Sequence, residues 1–318
     1  MTSRLVAALF VSVFVLSACA TSNHPIQPST LGTAARSADL LAVIDAPGPL
    51  EVETVVSADW QVDRGGLVNL EHPSARAAGL KDGPEPVRIY FHAVRHPTHG
   101  TVIIDTGVER ALRDAKDRAV VRGLVADVMH VEKLHVRTAL GDWLAREKAP
   151  LTGVLLTHLH LDHIMGMPDV PNDTPVYLGP GETEPRSATN LLVSEVTDRA
   201  LAGKTALRTW RFVPDADGRF EGVVDIFGDG SLWALWMPGH TPGSTAYLAR
   251  TKSGPVLFVG DTCHTRWGWE NGVEPGSFTA DHAKNARALE RLRQLVAEHP
   301  AIQVRLGHQP LGSEDAAR

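Results

Sequence analysis

The chain has 318 residues, 43% of them hydrophobic, and a formal net charge of −6. That length supports one large domain with a sizeable core, or two small ones. The mild acidity leaves no basic footprint for nucleic acid, so no nucleic-acid partner is expected.

Residues 1–19 read as an export signal. Arg4 supplies a positive start, and residues 5–16 are an almost unbroken apolar run, too short to span a bilayer as a helix. The run ends in Leu16-Ser17-Ala18-Cys19, which resembles the lipobox of bacterial lipoproteins, where the signal is cut before a cysteine that then carries the lipid. The resemblance implies an exported protein anchored to a membrane of the cell envelope, in the periplasm, through a lipid on Cys19; the alternative is ordinary secretion with cleavage nearby. With Cys19 acylated, Cys263 has no cysteine left to pair with. Residues 20–39 are rich in Ser, Thr, Pro and Ala without apolar period, and read as a flexible tether before a domain over 40–318.

Folded structure is expected from Leu40, with strands over 41–44, 52–56 and 87–94. His96-Pro97-Thr98-His99-Gly100 is a turn into a further strand that ends in Asp105-Thr106-Gly107. Apolar residues at helical spacing (Leu112, Ala115, Ala119, Leu124, Val128) predict a helix over 108–128, and a second spans 140–147. His130 and His135, between them, read as solvated loop histidines. Residues 174–178 form a short strand whose proline belongs at its start or at a sheet edge. Residues 179–194 read as loop, and 207–213 and 222–227 as strands. The apolar run 231–237 ends in Pro238-Gly239-His240, and 245–249 continues as strand. Residues 255–259 end in Gly260-Asp261-Thr262. An amphipathic helix over 281–298 carries Leu289, Leu292 and Val296 in one stripe, and a last strand over 302–306 ends in Gly307-His308.

The densest chemistry lies in Gly153-Val154-Leu155-Leu156-Thr157-His158-Leu159-His160-Leu161-Asp162-His163. An apolar run of strand length delivers three imidazoles and one carboxylate within six residues. His158 and His160 are two apart, so an extended backbone projects them to the same side. Asp162 and His163 follow at a turn into a helix and face a second point nearby. Imidazole and carboxylate are zinc ligands, and two adjacent donor clusters point to two metals. His158, His240, Asp261 and His308 each follow the C-terminal end of an apolar strand, a placement that independent structural histidines have no reason to share.

Taken together, His158-x-His160-x-Asp162-His163, His240 in Pro-Gly-His-Thr-Pro-Gly, Asp261 in Gly-Asp-Thr and His308 in Gly-His resemble the metallo-β-lactamase superfamily, over roughly residues 40–311. The resemblance implies an α/β fold, an αββα sandwich with a dinuclear metal site at one edge. It assigns His158, His160 and His240 to one metal, and Asp162, His163 and His308 to the other. Asp261 bridges the two, and Asp105 orients a ligand imidazole. Two Zn²⁺ are the expected cofactors, other divalent metals being possible. Asp162 and Asp261 are expected to serve catalysis as well as ligation, in a hydrolase whose metals share a hydroxide. Asp261 as the bridge argues against a true β-lactamase, and His160 in place of an acid argues against the di-iron redox branch.

Among the hydrolases, His96-Pro-Thr-His-Gly-Thr-Val-Ile-Ile-Asp-Thr-Gly followed by a helical insertion is most similar to the N-acyl homoserine lactonase group. That implies a small-molecule substrate, a lactone or related carboxylic ester. The same site could act on a phosphoester or organophosphate, a thioester or a β-lactam, or could belong to a non-catalytic lipoprotein that binds metal or ligand. One departure stands out: some lactonases of the group use a tyrosine between the metal motifs, and residues 178–237 contain none. Tyr177 and Tyr247 read as packing. Trp267 and Trp269, in a glycine-punctuated segment read as loop just after Asp261, would either wall a substrate pocket or pin that loop to the core.

Overall fold

The computed structural model describes residues 20–184 and 190–312, so the expected export signal and Cys19 lie outside the described residues. Among the described residues the strands, numbered along the chain, form two sheets. The first has eight, in the order β1 (Ile26–Pro28), β9 (Leu207–Thr209), β8 (Val176–Leu178), β7 (Leu151–Leu155), β5 (Gly100–Ile104), β4 (Pro84–His96), β3 (Glu51–Asp63) and β6 (His135–Val136). The second has six, in the order β14 (Gln303–Arg305), β13 (Gly254–Phe258), β12 (Thr245–Thr251), β11 (Leu232–Trp236), β10 (Gly222–Asp225) and β2 (Thr33–Ala35).

The central strands are apolar on both faces, and their two-residue alternation sorts them into three layers of core. Val102 and Ile104 of β5 enter the core between the sheets, while Ile103 enters the one outside. Leu232 and Ala234 of β11 meet them from the second sheet, while Trp233 and Leu235 face its outer side. The outer core of the first sheet is closed by Leu140 and Trp143 of the helix Leu140–Leu144, Ile164 of the helix Leu161–Ile164 and Ala200 of the helix Asn190–Ala200. Ala288, Leu289, Leu292 and Leu295 of the helix His282–Glu298 close the other side. Asp281 caps that helix by accepting the Lys284 N–H at 2.9 Å. The result is the expected αββα sandwich.

The pairing that matters for the site is parallel. β5 lies beside β7, and β13 beside β14, each pair in parallel register. Their C-terminal ends therefore emerge at a common edge, in both sheets.

Four local expectations are corrected. Residues 20–39 are not a tether: β1 pairs with β9, β2 pairs with β10, and the Asp198 carboxylate accepts from Ser22 Oγ (2.5 Å) and the Asn23 N–H (2.9 Å). The fold thus starts before Leu40. These strands are mostly exposed sheet edges of three residues each, too short to show a readable pattern. Residues 41–44 are not a strand. The helix Ser37–Leu41 and the turn after it bury Leu40 and Ile44, four residues apart. The long helix over 108–128 is two short ones, Ala111–Asp114 and Leu124–Val128. Between them the Glu109 carboxylate takes the Val120 N–H, and Gly123 turns the chain at φ 63°. The loop read over 179–194 gives way to helix at Asn190.

Candidate metal centre

Five strand ends meet at one edge between the sheets. β5 leads to Asp105, β7 to the His158–His163 run, β11 to His240, β13 to Asp261 and β14 to His308. After β7 the chain stays extended through His160, whose φ of −73° and ψ of 153° precede the helix Leu161–Ile164. That switch throws Asp162 and His163 round to a second point, as the spacing predicts. The sheets are tied together here, because Thr245 at the start of β12 donates its N–H to the Thr157 carbonyl at 2.8 Å.

Two groups of donors result. His158, His160, His240 and Asp261 form one, and Asp162, His163, His308 and Asp261 the other, each with its ligand-type atoms within 4.8 Å of one another. All seven residues singled out by sequence are therefore brought together, and Asp261 belongs to both groups. Its Oδ2 lies 3.3 Å from Nε2 of His163 and 3.3 Å from Nε2 of His308. The same oxygen lies 3.6 Å from Nε2 of His240 and 3.7 Å from Nε2 of His158. Nε2 of His240 and Nδ1 of His160 face each other at 2.9 Å. Asp162 Oδ2 stands 3.2 Å from Nε2 of His308.

The residues suit cations. His158 Nε2 and Asp261 Oδ1 are buried and have no hydrogen-bond partner. Unsatisfied buried polar atoms are rare, and these two carry lone pairs that a metal would take. Burial holds the His158 and His240 imidazoles well below their ordinary pKa, hence neutral as ligands must be. At His163 burial acts the same way but is outweighed by Asp261, Asp105 and Asp162, which raise it well above the ordinary value. His308 is pushed up to about 10, burial again being overcome by Asp261 and Asp162. Burial likewise works against ionisation of Asp162 and Asp261. Their imidazole neighbours override it and hold both below the usual carboxylate range, His163 and His308 at Asp162 and His264, His308 and His163 at Asp261. Without metal the carboxylates thus favour positive charge on His163 and His308, a place that bound cations would take.

Asp105 behaves as expected of an orienting carboxylate. Its Oδ2 lies 2.8 Å from Nδ1 of His163, and its Oδ1 accepts the Thr157 N–H at 2.8 Å. His130 is exposed beside Glu132 and His135 is exposed on the edge strand β6, so neither joins the site. A third group, His96, His99 and Asp229, lies among different turns. Nδ1 of His96 accepts the N–H groups of Thr98 (3.0 Å) and His99 (3.1 Å). This leaves the proton on Nε2 to bond Asp229 at 2.8 Å, a satisfied structural histidine.

Two residues escaped the sequence reading. His264 is buried with Nε2 2.9 Å from Asp261 Oδ2 and Nδ1 3.2 Å from the Leu67 carbonyl oxygen. Its only signal was its place three residues after Asp261. Glu182 is buried in the turn after β8 and has no motif around it.

The family model for the metallo-beta-lactamase superfamily matches residues 82–308, which takes in every donor named above. An N-acyl homoserine lactonase, AttM of Azorhizobium caulinodans, is 32% identical over 229 residues, covering 70% of this chain and 82% of that protein. The solved structure of a quorum-quenching N-acyl homoserine lactone hydrolase superposes with a TM-score of 0.59 at 18% identity, over 86% of this chain and 97% of its own. AidC, a dizinc quorum-quenching lactonase solved with a product, superposes with a TM-score of 0.53 at 14% identity, over 89% and 92%. Fold, ordered donor motifs and relatives agree: the chain belongs to the metallo-beta-lactamase superfamily, as a metal-dependent hydrolase.

Proposed function

We propose that this protein hydrolyses a lactone or a related carboxylic ester with two divalent ions, zinc by preference. The observation that carries the reading is the sharing of one carboxylate, Asp261, by two otherwise complete donor groups. His158, His160 and His240 would hold one ion, and Asp162, His163 and His308 the other. Donors limited to imidazole and carboxylate suit zinc. The kinship with AttM supports the lactone, and AidC, a dizinc enzyme of the same fold, supports the metal.

When bound, such a pair supplies a hydroxide nucleophile at neutral pH and a Lewis acid for the substrate oxygen. The chain's own part is orientation and charge. Asp105 fixes the ring of His163, and the Leu67 carbonyl and the Asp261 carboxylate fix the ring of His264. Phe278, 47% exposed, presents its ring 6.4 Å from that of His264 and offers an apolar contact for the acyl part of a substrate.

The test is metal content together with a panel of lactone, phosphoester, thioester and β-lactam substrates. About two zinc ions per chain and turnover of lactones above the rest is the expected result. Preference for another bond would move the substrate assignment, and a fully active metal-free protein would end it. We also propose that the protein is exported and carries a lipid on Cys19. A fatty-acid analogue should label the wild type in cells and not Cys19→Ala, and equal labelling of both would refute the anchor.

A further inference from the structure

We propose that Glu182 is a positioning residue for the half of the centre formed by His158, His160 and His240, an assignment that rests on the metal reading above. Its carboxylate is 3% exposed and grips two separate chain segments. Oε2 accepts the N–H of Leu159, the residue between His158 and His160, at 2.8 Å. Oε1 accepts from Thr241 Oγ1 at 2.5 Å and from the Gly243 N–H at 2.7 Å, in the loop that directly follows His240. One segment leaves β7 of the first sheet, the other leaves β11 of the second. A single side chain therefore bridges the two backbones that deliver three of the imidazoles, beside the Thr245–Thr157 bond that ties the sheets.

The chain is shaped to bring it there. A Cβ on Gly179 would lie 1.8 Å from the Gly243 carbonyl oxygen, and one on Gly243 would lie 2.7 Å from Glu182 Cγ and Oε1. Two glycines facing each other let the turn after β8 press against the loop after His240. All three groups named here give hydrogens to the carboxylate, which an acceptor-only ion matches and an amide does not. Bonds from N–H and O–H to an ionised oxygen are also about twice as strong as neutral ones. In Glu182→Gln the amide NH₂ must face one of these donors, with almost no change in volume.

Partners that hydrogen-bond the ligands themselves typically cost about 10–100-fold in metal affinity when removed, and Glu182 acts one bond further out, on the backbone that carries the ligands, so its effect belongs at the lower end of that range. The experiment titrates zinc out of the full-length protein with a chromophoric chelator, follows cobalt(II) absorption on refilling, and records thermal melting of the metal-free forms. His158→Ala identifies which binding step belongs to the three-histidine group. In Glu182→Gln that same step should weaken by about 10-fold or more, with the other step close to wild type and metal-free melting nearly unchanged. Two wild-type steps in the variant would overturn the assignment. So would equal weakening of both steps with a lower metal-free melting temperature, the mark of a merely structural clamp. If Glu182→Gln does not fold, Thr241→Val removes one donor and should weaken the same step by a smaller factor, wild-type binding again overturning the assignment. A wild-type protein that takes up no metal sinks the site reading and this assignment with it. A metal-loaded, active wild type beside an unchanged variant sinks this assignment alone.

Discussion

The Asp105 carboxylate lies 2.8 Å from Nδ1 of His163, and the residue that presents it sits at a left-handed φ of 56°. The turn at the end of β5 takes this conformation and aims the side chain across to the run that leaves β7. There it holds the Thr157 N–H and Thr157 Oγ1 as well as the imidazole. Strand end, motif backbone and ligand ring are thereby fixed by one carboxylate.

Asp105→Asn keeps a residue that tolerates left-handed backbone and removes only the charge. Metal affinity of the step that includes His163 should fall by about 10–100-fold, read by chelator competition. Asp105→Ala should lose the same affinity and add about 1 kcal/mol or more of instability from the unrelieved backbone conformation, read by urea denaturation of the metal-free protein. Equal stability of the two variants would show that the backbone at this turn is not under strain.

Asp261→Ala removes the carboxylate common to both donor groups. Metal content should drop at both sites and turnover by about 100-fold or more, a loss larger than that from any one orienting residue. Circular dichroism should still report a folded protein, since the strands that carry the ligands are held by the cores on either side. Full activity in Asp261→Ala would remove the shared ligand from the mechanism.

Much of this was legible in the chain because the signals are local. An apolar strand followed by His-x-His-x-Asp-His declares both its geometry and its chemistry within 11 residues, and β11, β13 and β14 each announce one donor at their ends. What stayed hidden depends on distant partners. The edge strand β1 pairs with β9 some 180 residues later, so its own composition reads as tether. The helical period over 108–128 is real, but the buried Glu109 carboxylate takes a backbone N–H in the middle of it. Glu182 and His264 reach the site through hydrogen bonds that no sequence period records.

The tryptophan pair after Asp261 divides between roles. The segment is a helix, Arg266–Asn271, capped at its start by Thr265 Oγ1 accepting the Gly268 N–H. Trp269 is 7% exposed inside the outer core of the second sheet, while Trp267 is half-buried against the core of the first. Trp269→Ala should therefore cost about 3–5 kcal/mol and lower activity on all substrates alike. Phe278 is the apolar residue exposed near His264. Phe278→Ala should leave the melting temperature nearly unchanged and weaken turnover of long-chain lactones more than of short ones. A uniform loss in Phe278→Ala would remove it from substrate recognition.

Glu109 sets a pH dependence that can be signed in advance. It is 4% exposed, and its Oε1 takes the Val120 N–H at 2.5 Å. Burial pushes its carboxyl up to about 7, against about 4.3 for an unfolded glutamate. The folded state therefore prefers the protonated form. Below the unfolded pKa both states hold the proton and the contribution to stability is complete. Between the two values the unfolded chain ionises first, and the contribution is lost as pH rises through about 7. Glu109→Gln cannot ionise, yet its amide oxygen can still accept the Val120 N–H. In urea denaturation of the metal-free proteins the two should come close near pH 4.5, and the variant should be more stable at pH 8 by about 3–4 kcal/mol. Because every other titrating group is common to both proteins, only their difference reports Glu109. A difference that does not change between those pH values would mean that Glu109 ionises in the fold as readily as in the unfolded chain.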